Sequence, residues 1–290
     1  MTHATHSTAD HPIEVRNLRF PLADAPKYWL GGRRAVSLFF DQLSVLFPPG
    51  EAFFMNSVRA FEAEVTDPTL LGAMRAFHAQ EALHGREHTH YNRRLAALGY
   101  PVEALERGAR RRLHATERMY GARGRLAVTV ALEHLTAMLA HVLLGEASPL
   151  QDAHPEMAAL WRWHAAEESE HAAVAFDVFQ AVGGSYLMRV AILVLVSFGF
   201  MSALVEHQLR MMWADRILFS AREWASLARF LLGKRGMIRR ALRPYLRFYR
   251  RDFHPHDDVE GRALLDAWKR EFASMPVYRD KLYVRAGAAQ

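Results

Sequence analysis

Glu81 and His84 stand three residues apart, and so do Glu168 and His171. On a helix that spacing puts a carboxylate and an imidazole on one face, one turn apart. Such a pair makes two arms of a cation site, and a second copy of the pair calls for a partner site or a second ion. The chain of 290 residues contains no cysteine. Thiolate ligands, disulfides and cysteine nucleophiles are thereby excluded. A transition metal held here would rest on histidine and carboxylate, which favours iron, manganese or zinc over copper(I) or an iron–sulfur cluster. Sixteen histidines supply more imidazole than such a site needs, so the ligands must be chosen by geometry.

The elements that position these pairs are helical throughout. The spacing of Val36, Phe39, Phe40, Leu43 and Phe47 predicts a helix over 35–47. Pro48-Pro49-Gly50 should interrupt it, and a second piece should run from Glu51 to Val65. Asp67-Pro68 reads as an N-cap followed by proline at the first helical position. The helix it opens should reach about Leu98, before Gly99 and Pro101. An arginine-rich helical link covers 107–112, and a strongly apolar helix spans Arg125 to Leu144. His154-Pro155 starts another, expected to continue to about Val182. No period-two alternation of any length is present, so the expected class is all-α. The expected organisation is an irregular lead-in over 1–34, a four-helix bundle over 35–184 and a C-terminal helical region over 185–290.

Antiparallel helices rise equally from the turn that joins them, about 1.5 Å per residue, so residues equidistant from the turn come level. Taking the first turn at Thr66, Glu51 lies fifteen residues before it and Glu81 fifteen after. Glu62 would sit opposite Leu70, far from the motif. With the second turn at Leu150-Gln151, Glu133 and Glu168 lie about equally far on either side. The expected ligands are therefore Glu51, Glu81, His84, Glu133, Glu168 and His171, holding two metal ions, iron first, with manganese and zinc as alternatives. A glutamate flanked by Ala131, Leu132 and Leu135, as Glu133 is, needs a cation to offset its burial. Glu167 competes with Glu168 for the face that carries His171. His88 and His164 are read as supporting groups or additional ligands. His78, His90, His134 and His141 are read as packing or surface residues.

Four blocks carry a family resemblance. They are Phe47-Pro-Pro-Gly-Glu51-x-Phe-Phe, Gln80-Glu81-x-x-His84-x-x-x-His88-x-x-Tyr91-Asn92, Leu132-Glu133-His134-x-Thr136-Ala137 and Trp163-His164-x-x-Glu167-Glu168-x-Glu170-His171. Together they resemble the bacterial "predicted metal-dependent hydrolase" family, over about residues 13–275. The resemblance implies a metal-dependent enzyme. Six-ligand sites of this type on ferritin-like bundles are, by analogy of fold, oxygen-activating di-iron oxidases or oxygenases. That activity on a hydrophobic small molecule is the first expectation. A hydrolase in which two metals share a hydroxide is the alternative, and iron handling ranks third.

Net charge is +6, unevenly placed. Between His207 and Arg251, twelve Lys and Arg face only Asp215 and Glu223, which gives +10 and leaves about −4 for the rest. Upstream, Val190 to Val205 forms an uncharged run of sixteen residues, just short of the ~18–20 that span a bilayer. Tyr186 to Met188 would lengthen it if Arg189 snorkelled. The reading that best fits the neighbouring amphipathic and basic segments is association of 186–251 with an anionic membrane surface. Nucleic acid is disfavoured, because the arginines alternate with apolar anchors and no nucleic-acid module is present. The first twenty-five residues carry no apolar signal segment, so cytoplasmic residence, peripheral to the inner membrane face, is the expectation. The reading leaves room for a homodimer.

Overall fold

A computed structural model of the chain describes residues 13–274. These form ten α-helices and no β-strand; an isolated antiparallel bridge links Leu30 to Ala153. Two long hairpins dominate. In the first, α1 (Arg34–Arg59) packs along α2 (Pro68–Ala97); in the second, α4 (Ala122–Leu144) packs along α5 (Pro155–His171). The link between them is α3 (Val102–Met119), and α6 (Val174–Ala181) follows α5. The C-terminal region comprises α7 (Tyr186–Ala214), α8 (Ala221–Leu232), α9 (Met237–Arg247) and α10 (Val259–Ala273). Of these, α7 and α9 pack on α4, α8 on α1 and α10 on α5.

Local signals explain most boundaries. The Asp67 carboxylate accepts from Thr69 N–H at 2.9 Å, and Pro68 takes the first helical position of α2. Ser185 and Ser220 cap α7 and α8 in the same way. Gly99 ends the α2 turn with φ +87°, a backbone conformation that residues with a Cβ adopt at a cost.

Three expectations about elements are corrected. The Pro48-Pro49 pair does not interrupt α1, which runs unbroken for 26 residues and stops at Arg59 rather than Val65. Proline removes the N–H that would bond the carbonyl four residues back. The Ser44 carbonyl, freed in this way, accepts from Asn92 Nδ2 of α2 at 3.2 Å. A neighbouring helix thus supplies the missing donor. Replacing Asn92 by alanine should cost about 1–3 kcal/mol, the penalty for leaving a buried acceptor unsatisfied, as read from urea denaturation. The helix expected over 154–182 divides after His171, at Ala172-Ala173. Residues of α5 pack in one apolar cluster and those of α6 in another, so the break redirects the chain between them. Thirdly, Arg189 does not snorkel outward. It is 4% exposed, donates to the Arg250 and Phe253 carbonyls, and lies against the rings of Phe176, Tyr186, Phe248 and Phe253.

The irregular segment before α1 is built into the structure. Leu18, Phe20, Leu22, Trp29 and Leu30 are all buried. At its end Lys27 and Arg34 converge on Asp215, beyond the last residue of α7.

The two apolar clusters are separated by a polar layer. On α1, Phe47 belongs to one cluster and Phe53 to the other, with Glu51 between them. The same alternation places Glu81 and His84 between Phe77 and Tyr91, Glu133 between Ala131 and Ala140, and Glu168 and His171 between Ala166 and Val174. Each long helix therefore crosses from one core to the other at its chemically interesting residues.

Candidate metal centre

Glu51, Glu81, His84, Glu133, Glu168 and His171 are all at most 3% exposed, and they meet in this layer. Two sets of atoms are close enough together to hold an ion: Glu51, His84 and His164; and Glu81, Glu168 and His171. Glu133 adjoins the second set, with Oε2 3.5 Å from His171 Nε2. His171 Nε2 also lies 3.1 Å from Glu81 Oε1 and 3.6 Å from Glu168 Oε2. Glu168 joins the two groups, because its Oε1 is 2.9 Å from His164 Nε2 and 3.7 Å from His84 Nδ1. The expected pairing of each lone glutamate with the motif on its own hairpin is thus only half the arrangement. Each set draws on both hairpins, since the motif-bearing faces of α2 and α5 look into one interior.

The centre is short of partners. Glu51, Glu81 and Glu133 have neither carboxylate oxygen hydrogen-bonded, and Glu168 Oε2, His84 Nδ1 and His171 Nε2 are likewise without a bond. Of the close approaches at the centre only that of His164 Nε2 to Glu168 Oε1 has hydrogen-bond geometry; those of His171 Nε2 and His84 Nδ1 do not. Among the described residues no lysine or arginine forms an ion pair with any of these four carboxylates. Four buried carboxylates without cations are expensive, and they must either keep protons or hold positive ions.

The imidazoles, in contrast, are held firmly from behind. His171 Nδ1–H donates to Gln80 Oε1 at 2.9 Å. Gln80 is fixed in that orientation because its Nε2 donates to Glu170 Oε2 and the Glu14 carbonyl. This leaves His171 Nε2 aimed at the carboxylates. His84 Nε2 meets Glu167 Oε2 at 3.2 Å, and the other Glu167 oxygen is pinned by the Arg16 backbone N–H and guanidinium. When Nε2–H donates to that carboxylate, His84 Nδ1 turns a lone pair inward.

His164 is fixed by a longer chain. Asn92 Nδ2 donates to the Ser44 carbonyl and to Glu106, so its Oδ1 accepts from the Ser44 hydroxyl. Ser44 Oγ must then accept from His88 Nδ1–H at 2.9 Å. His88 Nε2, now a lone pair, accepts from His164 Nδ1–H at 2.7 Å. The result is a His164 Nε2 lone pair facing Glu168. Outer hydrogen bonds commonly set a metal-binding imidazole in this manner.

The structure therefore separates residues that the sequence left together. Glu167 lies outside the carboxylate group and buttresses His84. His88 supports His164, and His164 itself faces the centre. Glu62 is half exposed and lies beside His78 rather than opposite Leu70 as expected, because α1 ends at Arg59 and Glu62 falls in the turn after it. His90 is exposed, His134 packs on Phe248, and His141 bonds Asp258. His207 is buried but joins neither set.

Arg16 and Gln80 were missed by sequence reasoning. Nothing in the local pattern of an irregular segment marks Arg16, whose partners lie more than 150 positions away. Gly85 was also missed, although a glycine inside a helix is itself a signal of close approach. A Cβ there would come within 2.9 Å of Glu51 Oε2.

Protonation follows from this geometry. Burial, then repulsion from Glu81, Glu168 and Glu133, holds Glu51 well above the usual carboxylate range. Glu133 is raised for the same reasons, and burial lifts Glu81 to about 7 and Glu167 to about 8. Burial opposes the charge of His171, yet Glu168 and its neighbours hold the imidazolium well above the ordinary histidine range. In the metal-free chain a proton thus stands where a cation would.

A stability prediction follows. Groups with raised folded values bind more protons folded than unfolded, so stability falls as pH rises through those values. His84 and His88, held low mainly by burial, act in the opposite sense only below 6.5. The window is therefore pH 6.5 to about 8, as set by Glu81 and Glu167 together with Asp41, which burial lifts to about 7. Metal-free protein should show a lower urea midpoint at pH 8 than at pH 6.5, with divalent metal reversing the trend. A midpoint that rises with pH would contradict this assignment of protons.

A small cavity of about 70 Å³ lies against α4, α5 and the segment after α9. His134, His141, Ser169, Arg247, His256, Asp258 and Arg262 line it together with Ala137, Met138, Ala172 and Phe253, and no residue of the centre does.

A buried centre of carboxylates and imidazoles contributed by four helices defines the class as a helical protein with a candidate metal centre. The chain matches the family described as predicted metal-dependent hydrolase over residues 14–258, and it belongs to that family. No curated protein and no solved structure matches it. Of the activities expected from the sequence, the family description fits the hydrolase and gives no support to the oxidase.

Proposed function

We propose that the chain is a metal-dependent hydrolase whose two ions are held by Glu51, Glu81, His84, Glu133, His164, Glu168 and His171. One observation carries this reading. Seven buried carboxylate oxygens and two imidazole nitrogens on four helices lack partners, while outer hydrogen bonds fix the imidazoles that face them. The donor set is hard and sulfur-free, which suits iron, manganese or zinc.

Ions bound there would supply Lewis-acid polarisation of a carbonyl or phosphoryl oxygen and acidify a water. The protein's share is distinct. Its four carboxylates balance the ionic charge in a dry interior, and Glu168 bridges the two sets. Gln80 and His88 hold the outer N–H of His171 and His164, so that neither ring can rotate away.

A second reading rests on the same donors. Four carboxylates and three imidazoles without sulfur also suit an oxygen-activating di-iron centre acting on a hydrophobic molecule. Metal analysis of the purified protein, followed by spectra before and after reduction and exposure to oxygen, separates the two. Metal-dependent cleavage of ester or phosphoester probes, with no oxygen-dependent absorption change, is the expected result. Two irons with such a change, and no cleavage, would establish the oxidase instead. Protein purified without metal that takes up neither iron, manganese nor zinc would refute both.

A further inference from the structure

Among the described residues two helices, α4 and α7, are long and apolar enough to cross a membrane by length and composition. They are placed differently. In α4, 56% of the most apolar window is buried; in α7 only 28% is. Yet α7 is not arranged as a span. One face is anchored along its length, with Arg189 caged by aromatic rings, Ser197 bonded to Tyr245, and Gln208 bonded to Gln42 and the Ala35 carbonyl. The opposite face is bare. Leu195, Phe198 and Val205 follow one another at helical spacing, and Phe198 is 79% exposed.

The neighbouring helices extend this surface. Both α7 and α9 pack on α4, and they touch each other through Ser197 and Tyr245. On α9 Met237 is buried, as is Phe248 just after it, while Ile238, Leu242 and Leu246 are about half exposed at one edge of the outer face. Arg239 and Arg243 follow directly beside them, exposed and without an ion-pair partner among the described residues. Lys234 and Arg235, just before α9, are exposed as well. Past the other end of α7, Phe219 stands 88% exposed. An apolar stripe edged by unpaired cations describes a helix layer that lies in a headgroup region.

We propose that the outer face of α7 and α9 docks on the surface of an anionic phospholipid bilayer. Charge decides between this occupant and a second copy of the chain. A twofold contact through this face would set the same unpaired arginines against one another, whereas anionic headgroups neutralise them. The proposal is independent of the metal centre.

Flotation of the full chain with vesicles tests it. The protein should rise with vesicles of phosphatidylcholine containing about 30 mol% phosphatidylglycerol and much less with phosphatidylcholine alone; about 0.5 M salt should weaken binding. A basic residue near an anionic surface is worth about fivefold in partition, so Arg239→Glu with Arg243→Glu should lower binding at least ~30-fold. Phe198→Glu should also abolish it with an unchanged melting temperature, because the side chain is exposed. If that variant misfolds, the double arginine variant carries the test alone. Equal partition with and without anionic lipid overturns the proposal. So does wild-type binding by the double variant, or a dimer in solution that Phe198→Glu splits.

Discussion

Replacing Glu133 by leucine is expected to remove at least one metal ion and, at the same time, to make the metal-free chain more stable. Both effects come from one side chain. Glu133 is 2% exposed, neither of its oxygens has a partner, and it faces Glu81 and Glu168 as well as His171. In the metal-free protein it adds repulsion to a site that already holds three other carboxylates. Exchanging such a buried, unpartnered carboxyl for an apolar side chain of similar volume removes its desolvation penalty, about 1–3 kcal/mol. With metal available the balance inverts, because ligand binding to the folded state contributes stability that the variant loses. The melting temperature of chelated variant should exceed that of chelated wild type, and added metal should raise it less. Retention of both ions by the variant would sink the ligand assignment. Opposite signs in the two conditions are the diagnostic feature, since an ordinary packing residue would shift both in one direction.

Arg16→Met should destabilise the protein by about 3–5 kcal/mol, the usual penalty for stranding buried charges after one partner is removed. Arg16 is 1% exposed and bonds Glu170 at 2.9 and 2.7 Å and Glu167 at 3.3 Å. Lys269 would still neutralise part of Glu170, and without Arg16 the raised Glu167 keeps its proton more readily, so the loss falls at the lower end of that range. Glu167 sets His84, and Glu170 sets Gln80 and through it His171. Metal affinity should therefore fall as well, about 10- to 100-fold, as it does when outer hydrogen bonds to ligands are lost. Urea denaturation of chelated protein measures the first effect and metal competition the second. A destabilised variant with undiminished metal affinity would confine Arg16 to a structural role. Pairing Arg16→Met with Glu170→Leu should recover part of the stability, because fewer carboxylates are then stranded.

The linear sequence determined the helical class, the hairpin pairing of α1 with α2 and α4 with α5, and the residues that gather at the centre. It did so because helix rise is constant: residues equidistant from a turn come level whatever the side chains between them. That rule placed Glu51 rather than Glu62 at the level of Glu81 and His84. Three kinds of information lay beyond it. Whether a proline pair breaks a helix depends on a donor from elsewhere, here Asn92, and the helix itself carries no sign of it. Which imidazole nitrogen faces inward depends on hydrogen bonds between helices; Ser44 and His88 made His164 a facing group, and Gln80 oriented His171. The role of Glu167, adjacent in sequence to Glu168, was decided by an arginine from an irregular segment 151 positions earlier in the chain. Glu168 and Glu167 point about 100° apart around the same helix, so one joins the carboxylates and the other turns to Arg16. Periodicity thus fixed the turn of helix on which each carboxylate and imidazole lies. Only the packing of α1, α2, α4 and α5 decided which atoms face the interior, because that depends on hydrogen bonds between residues far apart in the chain.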